Sequence, residues 1–223
     1  LYDSYDYFAR YIDPDFSYLP LLSQTVGRTV LRVANAPVLP QRFGDFADAV
    51  AGYAQELKQQ ADSDRTAART QAELLQAGAY AAVDNPNRPQ RAPEPKAAVP
   101  QIDFAALDQA ITRLQTSAKR YDGALASRGG SLDAGVRGKL NASLQRIDQT
   151  LLAEGGLPGR PWYRNLIYAP GLATGYEVKT LPGIREALED RRWEDLSKYI
   201  AQTAAVLDRY REAIDRNTAL IEG

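Results

Sequence analysis

Apolar residues recur at alternating steps of three and four along two long segments of the chain. Such spacing places every member on one face of an α-helix, so each segment has a continuous apolar face to bury. Packing against other helices at shallow angles buries such faces. The first series is Phe104, Leu107, Ile111, Leu114, Ala118, Tyr121 and Leu125, and the second is Trp193, Leu196, Ile200, Thr203, Leu207, Tyr210 and Ile214.

Further helices are predicted over residues 1–11, 20–35, 43–83 and 131–151. The segment 43–83 is mostly polar in its second half, which indicates a helix that is exposed or projects beyond the core. Asp103 and Ser131 stand where N-caps are needed for the helices that follow them. No segment has the alternation of a half-buried strand. The sequence therefore predicts an all-α fold, a four-helix-type bundle.

Two proline-rich stretches interrupt the helical pattern. Residues 84–100 contain five prolines, which predicts a flexible loop between helices, although a polyproline II ligand motif is an alternative. Residues 156–170 contain three prolines with Trp162, Tyr163 and Tyr168, so they predict an extended, non-helical strap. Exposed aromatic area is unfavourable, and we expect these three side chains to pack into the adjacent helices.

Composition restricts the possible functions. The chain has 223 residues, a formal net charge of −1 and no His, Cys or Met. Without His or Cys there is no zinc site of the usual kind, catalytic thiol, Ser-His pair or disulfide. The charge gives no reason to expect nucleic acid as a partner, and no apolar run is long enough to insert into a membrane. A chain that starts at Leu1 without methionine is expected to be a fragment of a longer chain, here one domain over 1–223.

Candidate catalytic groups are few. Glu186 and Asp190 stand four residues apart on a predicted helix, a spacing that can serve metal binding or acid–base chemistry. Helix surfaces carry many such pairs, however, and no other group converges on this one. The glycines at 171 and 175 do not form a phosphate-binding motif. We therefore expect no catalytic residues and no metal ligands in these 223 residues.

Four motifs resemble one known family. They are LYDSYDYFARYIDPDF (1–16), VANAPVLP (33–40), LPGRPWYRNLIYAP (157–170) and LPGIREAL (181–188). Together they are similar to the C-terminal helical domain of the transferrin receptor and glutamate carboxypeptidase II family. The resemblance implies a domain that mediates homodimerisation of a zinc exopeptidase, or of a non-catalytic receptor relative. It also implies a periplasmic, secreted or membrane-anchored ectodomain setting for the parent protein.

The same resemblance implies a site. In glutamate carboxypeptidase II the loop that matches Gly171–Thr180 closes over the substrate and supplies a Lys-Tyr pair to its carboxylates. Tyr176 matches the tyrosine, Gly175 stands where the lysine would be, and Lys179 follows three residues later. Tyr176 and Lys179 are thus the candidate substrate-binding residues. Zinc and its ligands are expected in a protease domain of the same chain, which would also contact this domain.

Three hypotheses follow. The first is the dimerisation domain of a putative zinc-dependent exopeptidase, inactive by itself but contributing a substrate-pocket loop. The second is the same domain on a receptor-like scaffold without catalytic zinc. The third is an independent helical adaptor that uses residues 84–100 as its ligand motif. We favour the first.

Overall fold

A computed structural model describes residues 4–83, 87–88, 91–174 and 177–223. Within these residues the chain is mostly helical, with a single small antiparallel sheet. The α-helices are α1 (Tyr5–Tyr7), α2 (Tyr18–Ala34), α3 (Phe43–Gln76), α4 (Ala79–Ala82), α5 (Ala105–Arg128), α6 (Ala134–Leu144), α7 (Pro182–Glu189) and α8 (Trp193–Glu222). A π-helical turn spans Phe8–Ile12, 3-10 turns span Gly129–Ser131 and Ile147–Leu151, and the strands are β1 (Tyr168–Pro170) and β2 (Val178–Thr180).

Helices α3, α5 and α8 form the bundle. Polar contacts between side chains show how these helices run. Lys58 and Asp48 of α3 contact Asp108 and Gln115 of α5, respectively, so α3 and α5 are antiparallel. Contacts of Arg113 with Asp208 and of Arg128 with the carbonyl of Glu222 show that α5 and α8 are parallel. Helix α6 and the 3-10 turn after it pack on α8 and form the fourth helical element of the bundle. The all-α bundle prediction is confirmed.

The core follows the predicted apolar faces. In α8 the six positions from Leu196 to Ile214 in the three-and-four series are all buried. In α5 the series is buried from Leu107 to Tyr121. Phe43 of α3 stacks edge-on against Tyr121 and Tyr210, with ring centroids 4.7 and 5.7 Å away. The core therefore joins all three long helices.

Several helix boundaries differ from prediction. The helix that begins at Phe43 ends at Gln76, because Gly78 adopts a left-handed φ of 66° that a helix does not accommodate. The N-cap of α6 is Asp133, whose side chain accepts a hydrogen bond from the backbone N–H of Val136, and not Ser131. Asp103 lies one residue before the N-cap of α5, which is Phe104, although its side chain does accept from the N–H of Ala105 at 2.8 Å.

The N-terminal part of the chain lies outside the core. No residue of α2 is buried, although its first turn is capped by Asp13, whose carboxylate accepts from the N–H groups of Tyr18 and Leu19. The segment after α2 is attached to α6 through Asn141, which donates to the carbonyl of Pro37 and accepts from the N–H of Leu39. Thus α2 joins the bundle mainly through its flanking residues.

The proline-rich segment is described over 87–88 and 91–100, and over 91–100 it has neither helix nor strand and contacts α3. Gln71 accepts a hydrogen bond from the N–H of Lys96, and Arg65 donates to the carbonyl of Pro100. Val99 is buried. These contacts restrain the second half of the loop; the flexibility of residues 84–100 as a whole stays a prediction.

The strap is non-helical, as predicted, but it is not extended throughout: the N–H of Arg160 bonds to the carbonyl of Leu157 and that of Tyr163 to the carbonyl of Arg160, which forms two successive turns. Its aromatic side chains do not pack inward. Trp162, Tyr163 and Tyr168 are 70%, 37% and 54% exposed. The expectation that they would anchor the strap is therefore wrong for this chain. Apolar burial in this region comes from Leu157, Leu166, Ile167 and Ala169. The strap therefore turns its aliphatic side chains to the core and its aromatic side chains outward.

Candidate functional site

The candidate loop, Gly171–Thr180, leaves β1 and returns through β2. The strands pair in antiparallel register, with Ala169 opposite Lys179. Past β1, the N–H of Gly171 donates to the carbonyl of Glu177 at 3.2 Å, and the hydroxyl of Thr174 donates to the same carbonyl. The sheet escaped prediction because each strand has only three residues, too few for an alternating pattern to show.

Of the two predicted substrate-binding residues, Tyr176 lies outside the described residues, as does its neighbour Gly175. Lys179 is described, and its ammonium group is paired with the carboxylate of Glu189 in α7. Its aliphatic stem lies against Gly171, where a Cβ would stand 3.1 Å from the Lys179 Cε. Lys179 thus joins the loop to α7.

Beneath the loop lies a buried ion pair that the sequence analysis did not identify. Arg160 of the strap and Glu186 of α7 have side chains only 4% and 7% exposed. The guanidinium donates to both carboxylate oxygens, at 2.7 and 3.0 Å. The two residues are far apart in sequence, and Glu186 stood out there only through its spacing from Asp190. A charged residue among the apolar positions of LPGIREAL was the one available signal.

The start of α7 is held by close packing. Leu181 precedes it with a left-handed φ of 47° and donates its N–H to the carbonyl of Ile167 at 2.7 Å. Gly183 faces Tyr199 of α8, and a Cβ there would stand 2.4 Å from the ring. Burial raises the pKa of Tyr199, whose hydroxyl donates to the carbonyl of Gly156 at 3.1 Å. The strap, α7 and α8 therefore meet at this point.

The two acids considered together from the sequence have different partners. Glu186 is bound to Arg160, while Asp190 pairs with Arg192. Among the described residues, no three His, Cys, Asp or Glu side chains come together as a metal site would require. In the same part of the chain, none of the helices combines the length and apolar character needed to cross a lipid bilayer.

A second notable surface is the apolar side of α2. Leu22, Val26 and Val30 are more than half exposed and recur every four residues along the helix. Beside them a groove of about 630 Å³ is lined almost entirely by apolar side chains, including Phe8 and Ile12. Exposed apolar surfaces of this kind are typical of sites that contact a protein, a membrane or a ligand.

Comparison with known proteins agrees with this architecture. A family model described as transferrin receptor-like dimerisation domain matches residues 102–215, which is just over half of the chain. The match covers α5, α6, the strap, the loop, α7 and most of α8. It therefore includes the buried ion pair and the candidate loop together.

Among curated relatives, the chain is 25% identical to a probable glutamate carboxypeptidase of Arthroderma benhamiae over 84% of this chain and 22% of that protein. It is 25% identical to the probable glutamate carboxypeptidase LAMP1 of Arabidopsis thaliana over 90% of this chain and 25% of that protein. An inactive zinc metalloprotease of Schizosaccharomyces pombe is 39% identical over 31% of this chain and 9% of that protein.

The chain thus spans about a quarter or less of the length of these relatives. Their similarity and the family match agree with the helical bundle described above. The chain belongs to the transferrin receptor-like dimerisation domain family.

Proposed function

We propose that this chain is the homodimerisation domain of a zinc-dependent exopeptidase of the glutamate carboxypeptidase type. The match of the dimerisation-domain family to residues 102–215 carries the proposal. The names of the fungal and plant relatives support a carboxypeptidase as the parent protein. In this proposal residues 1–223 act as one helical unit that has no catalysis of its own.

The exposed side of α2 supports contact with a protease domain of the same chain. A helix of this length without a buried residue is marginal in water, because most helical stability in proteins comes from packing of the apolar face. The groove beside α2 provides apolar area for such packing. We propose that the protease domain covers α2 and the groove, and so attaches the catalytic part of the protein to the dimer.

Zinc enters this proposal only through the protease domain. The chain has no His or Cys, so the usual zinc ligands are absent from it. Bound zinc would activate water and polarise the scissile carbonyl. The role proposed for residues 1–223 is to dimerise and to position the loop Gly171–Thr180 at the substrate pocket.

The loop Gly171–Thr180 is proposed to lie at the substrate pocket, with Tyr176 as a contact to a substrate carboxylate. A tyrosine hydroxyl can donate such a bond, and a bond to a charged acceptor is stronger than a neutral one. Lys179 is the second candidate, but it would have to leave Glu189 to reach a substrate. Tyr176 is therefore the stronger of the two.

Sedimentation equilibrium tests the dimer. Across roughly a hundredfold range of concentration around micromolar, we expect a species of twice the 24.5 kDa chain mass. A matched variant, Leu22→Ser with Val26→Ser and Val30→Ser, removes the exposed apolar residues of α2. It should dimerise equally well if the bundle forms the contact. A monomer at every concentration, or a dimer lost in this variant, would contradict the proposal.

Steady-state kinetics of the longer parent protein tests the loop. With a peptide that ends in an acidic residue, Tyr176→Phe should raise KM by about tenfold, the value of one hydrogen bond to a charged group. Tyr168→Phe, which alters an exposed tyrosine on β1, is the control and should leave KM unchanged. Equal KM values for both variants would exclude Tyr176 from substrate binding.

A second candidate function is a non-catalytic scaffold. The relative in Schizosaccharomyces pombe is described as an inactive zinc metalloprotease, and its similarity to this chain is the observation that favours this alternative. The residues that precede Leu1 in the parent protein distinguish the two: a set of His and carboxylate zinc ligands indicates the enzyme. Zinc analysis of the purified parent protein provides the measurement.

The adaptor hypothesis makes a different prediction. Deleting residues 84–100 should abolish partner binding there while the bundle stays folded. The hydrogen bonds from this segment to α3 favour a structural role for its second half instead.

A further inference from the structure

Arg160 and Glu186 form hydrogen bonds to nearby backbone groups as well as to each other. Besides its two bonds to Glu186, the guanidinium donates to the carbonyl of Pro158 at 3.4 Å and, from Nη2, to the carbonyl of Pro170 at 3.1 Å. The Glu186 Oε1 atom also accepts from the N–H of Leu172, at 3.1 Å. The pair therefore holds the backbone on both sides of Gly171, where the loop leaves β1.

Other contacts hold the opposite end of the loop. Arg185 donates to the carbonyl and the hydroxyl of Thr180, at 3.1 and 2.8 Å. The N–H of Leu181 donates to Ile167. None of these bonds involves Arg160 or Glu186, so the second end of the loop has anchors of its own in addition to the pairing of β1 with β2. Loosening one end need not release the other.

A buried ion pair is a weak source of net stability. Removing two charges from water costs free energy, and their mutual attraction only partly offsets this cost. Apolar side chains of similar volume often give the folded protein equal or greater stability. Apolar side chains cannot, however, form directional hydrogen bonds to the backbone. Here Arg160 donates to the backbone carbonyls of Pro158 and Pro170. Glu186 accepts from the N–H of Leu172, so the pair holds these backbone groups in fixed directions.

We propose that Arg160 and Glu186 are positioning residues for the Gly171–Thr180 loop. They set where the first limb of the loop leaves β1, and so where its substrate-side residues lie. This inference rests on the proposed substrate-side role of the loop. The pair itself does not contact substrate in this proposal.

The test separates positioning from stability by changing both charges together. Arg160→Met with Glu186→Leu removes the pair without leaving an unpaired buried charge, so the bundle should stay folded. Arg160→Met alone leaves Glu186 unpaired and should unfold the chain more easily. The matched control is Arg113→Met with Asp208→Leu, which removes a two-bond ion pair between α5 and α8 that lies far less buried.

Amide hydrogen exchange, followed by NMR, provides the readout. The informative amide is that of Gly171, which bonds to Glu177 and to neither member of the pair. In the double variant its exchange should accelerate by about tenfold or more, because each hydrogen bond lost at the loop base is of that order. Amides in α5 and α8 should keep their wild-type rates, as should every loop amide in the control.

If Gly171 exchanges at the wild-type rate in a folded double variant, the pair does not position the loop and the proposal is overturned. If exchange accelerates equally throughout the bundle, the role is general stability, which overturns it as well. The parent enzyme separates this inference from the proposed function. Faster exchange at Gly171 with unchanged KM would support positioning and refute the substrate-side role of the loop.

Discussion

At the scale of single residues, the buried polar groups of the core are informative. Tyr121 is fully buried between the long helices, and among the described residues its hydroxyl has no hydrogen-bond partner. Burial raises its pKa to about 12. An unpaired buried hydroxyl lowers stability, and a tyrosine that cannot ionise in the folded state adds a dependence on pH.

We therefore expect Tyr121→Phe to increase the free energy of unfolding by about 1 kcal/mol at neutral pH. The advantage should grow at alkaline pH. Above about pH 10 the unfolded tyrosine loses its proton while the folded one keeps it, so the wild-type chain loses stability as pH rises towards 12. Urea unfolding at pH 7 and pH 11 measures both effects.

The control is Tyr5→Phe, which changes a tyrosine that is 73% exposed and should alter neither value. A Tyr121→Phe variant less stable than the wild type at pH 7 would show that the hydroxyl has a partner after all.

At the scale of elements, α2 differs from the other long helices because none of its residues is buried. The triple variant Leu22→Ser, Val26→Ser and Val30→Ser should therefore leave the thermal unfolding of this chain nearly unchanged, since exposed substitutions cost about 0.5 kcal/mol or less each. In the parent protein the same variant should lower the unfolding temperature, because there the apolar face is proposed to be covered. Calorimetry of both proteins provides the comparison.

Leu114→Ala is the matched control within the bundle. Leu114 is fully buried, so its truncation should cost about 2–5 kcal/mol in either protein. A triple variant that destabilises the isolated chain as strongly as Leu114→Ala would show that α2 already packs within these residues.

At the scale of the whole molecule, several large apolar side chains are exposed in each of two regions. One is the α2 region, and the other is the strap with Trp162 and Tyr168. The long helices of the bundle are also joined at their surface by ion pairs such as Arg113–Asp208. If the chain dimerises as proposed, its unfolding temperature should rise with protein concentration, because association stabilises the folded state by mass action. This second readout of the dimer needs only calorimetry at several concentrations.

Much of the helical architecture was predictable, because helix periodicity is a local property. The three-and-four spacing in α5 and α8 places the buried residues correctly without reference to the rest of the chain. The loop was identified by resemblance, whereas Arg160 was missed as a functional candidate. No local pattern marks a pair of residues that meet only when the strap folds back over α7.

The sequence by itself determined the helices, the interruptions at proline and the family. These depend on neighbours within one or two turns and on motifs in a fixed order. Only the tertiary structure decided which side of the strap is buried, because contacts between residues distant in sequence bury Leu157 and Ile167 and leave Trp162 exposed. It also decided that Glu186 pairs with Arg160. In the folded chain the strap and α7 bring these two charges together, and their burial excludes water from them.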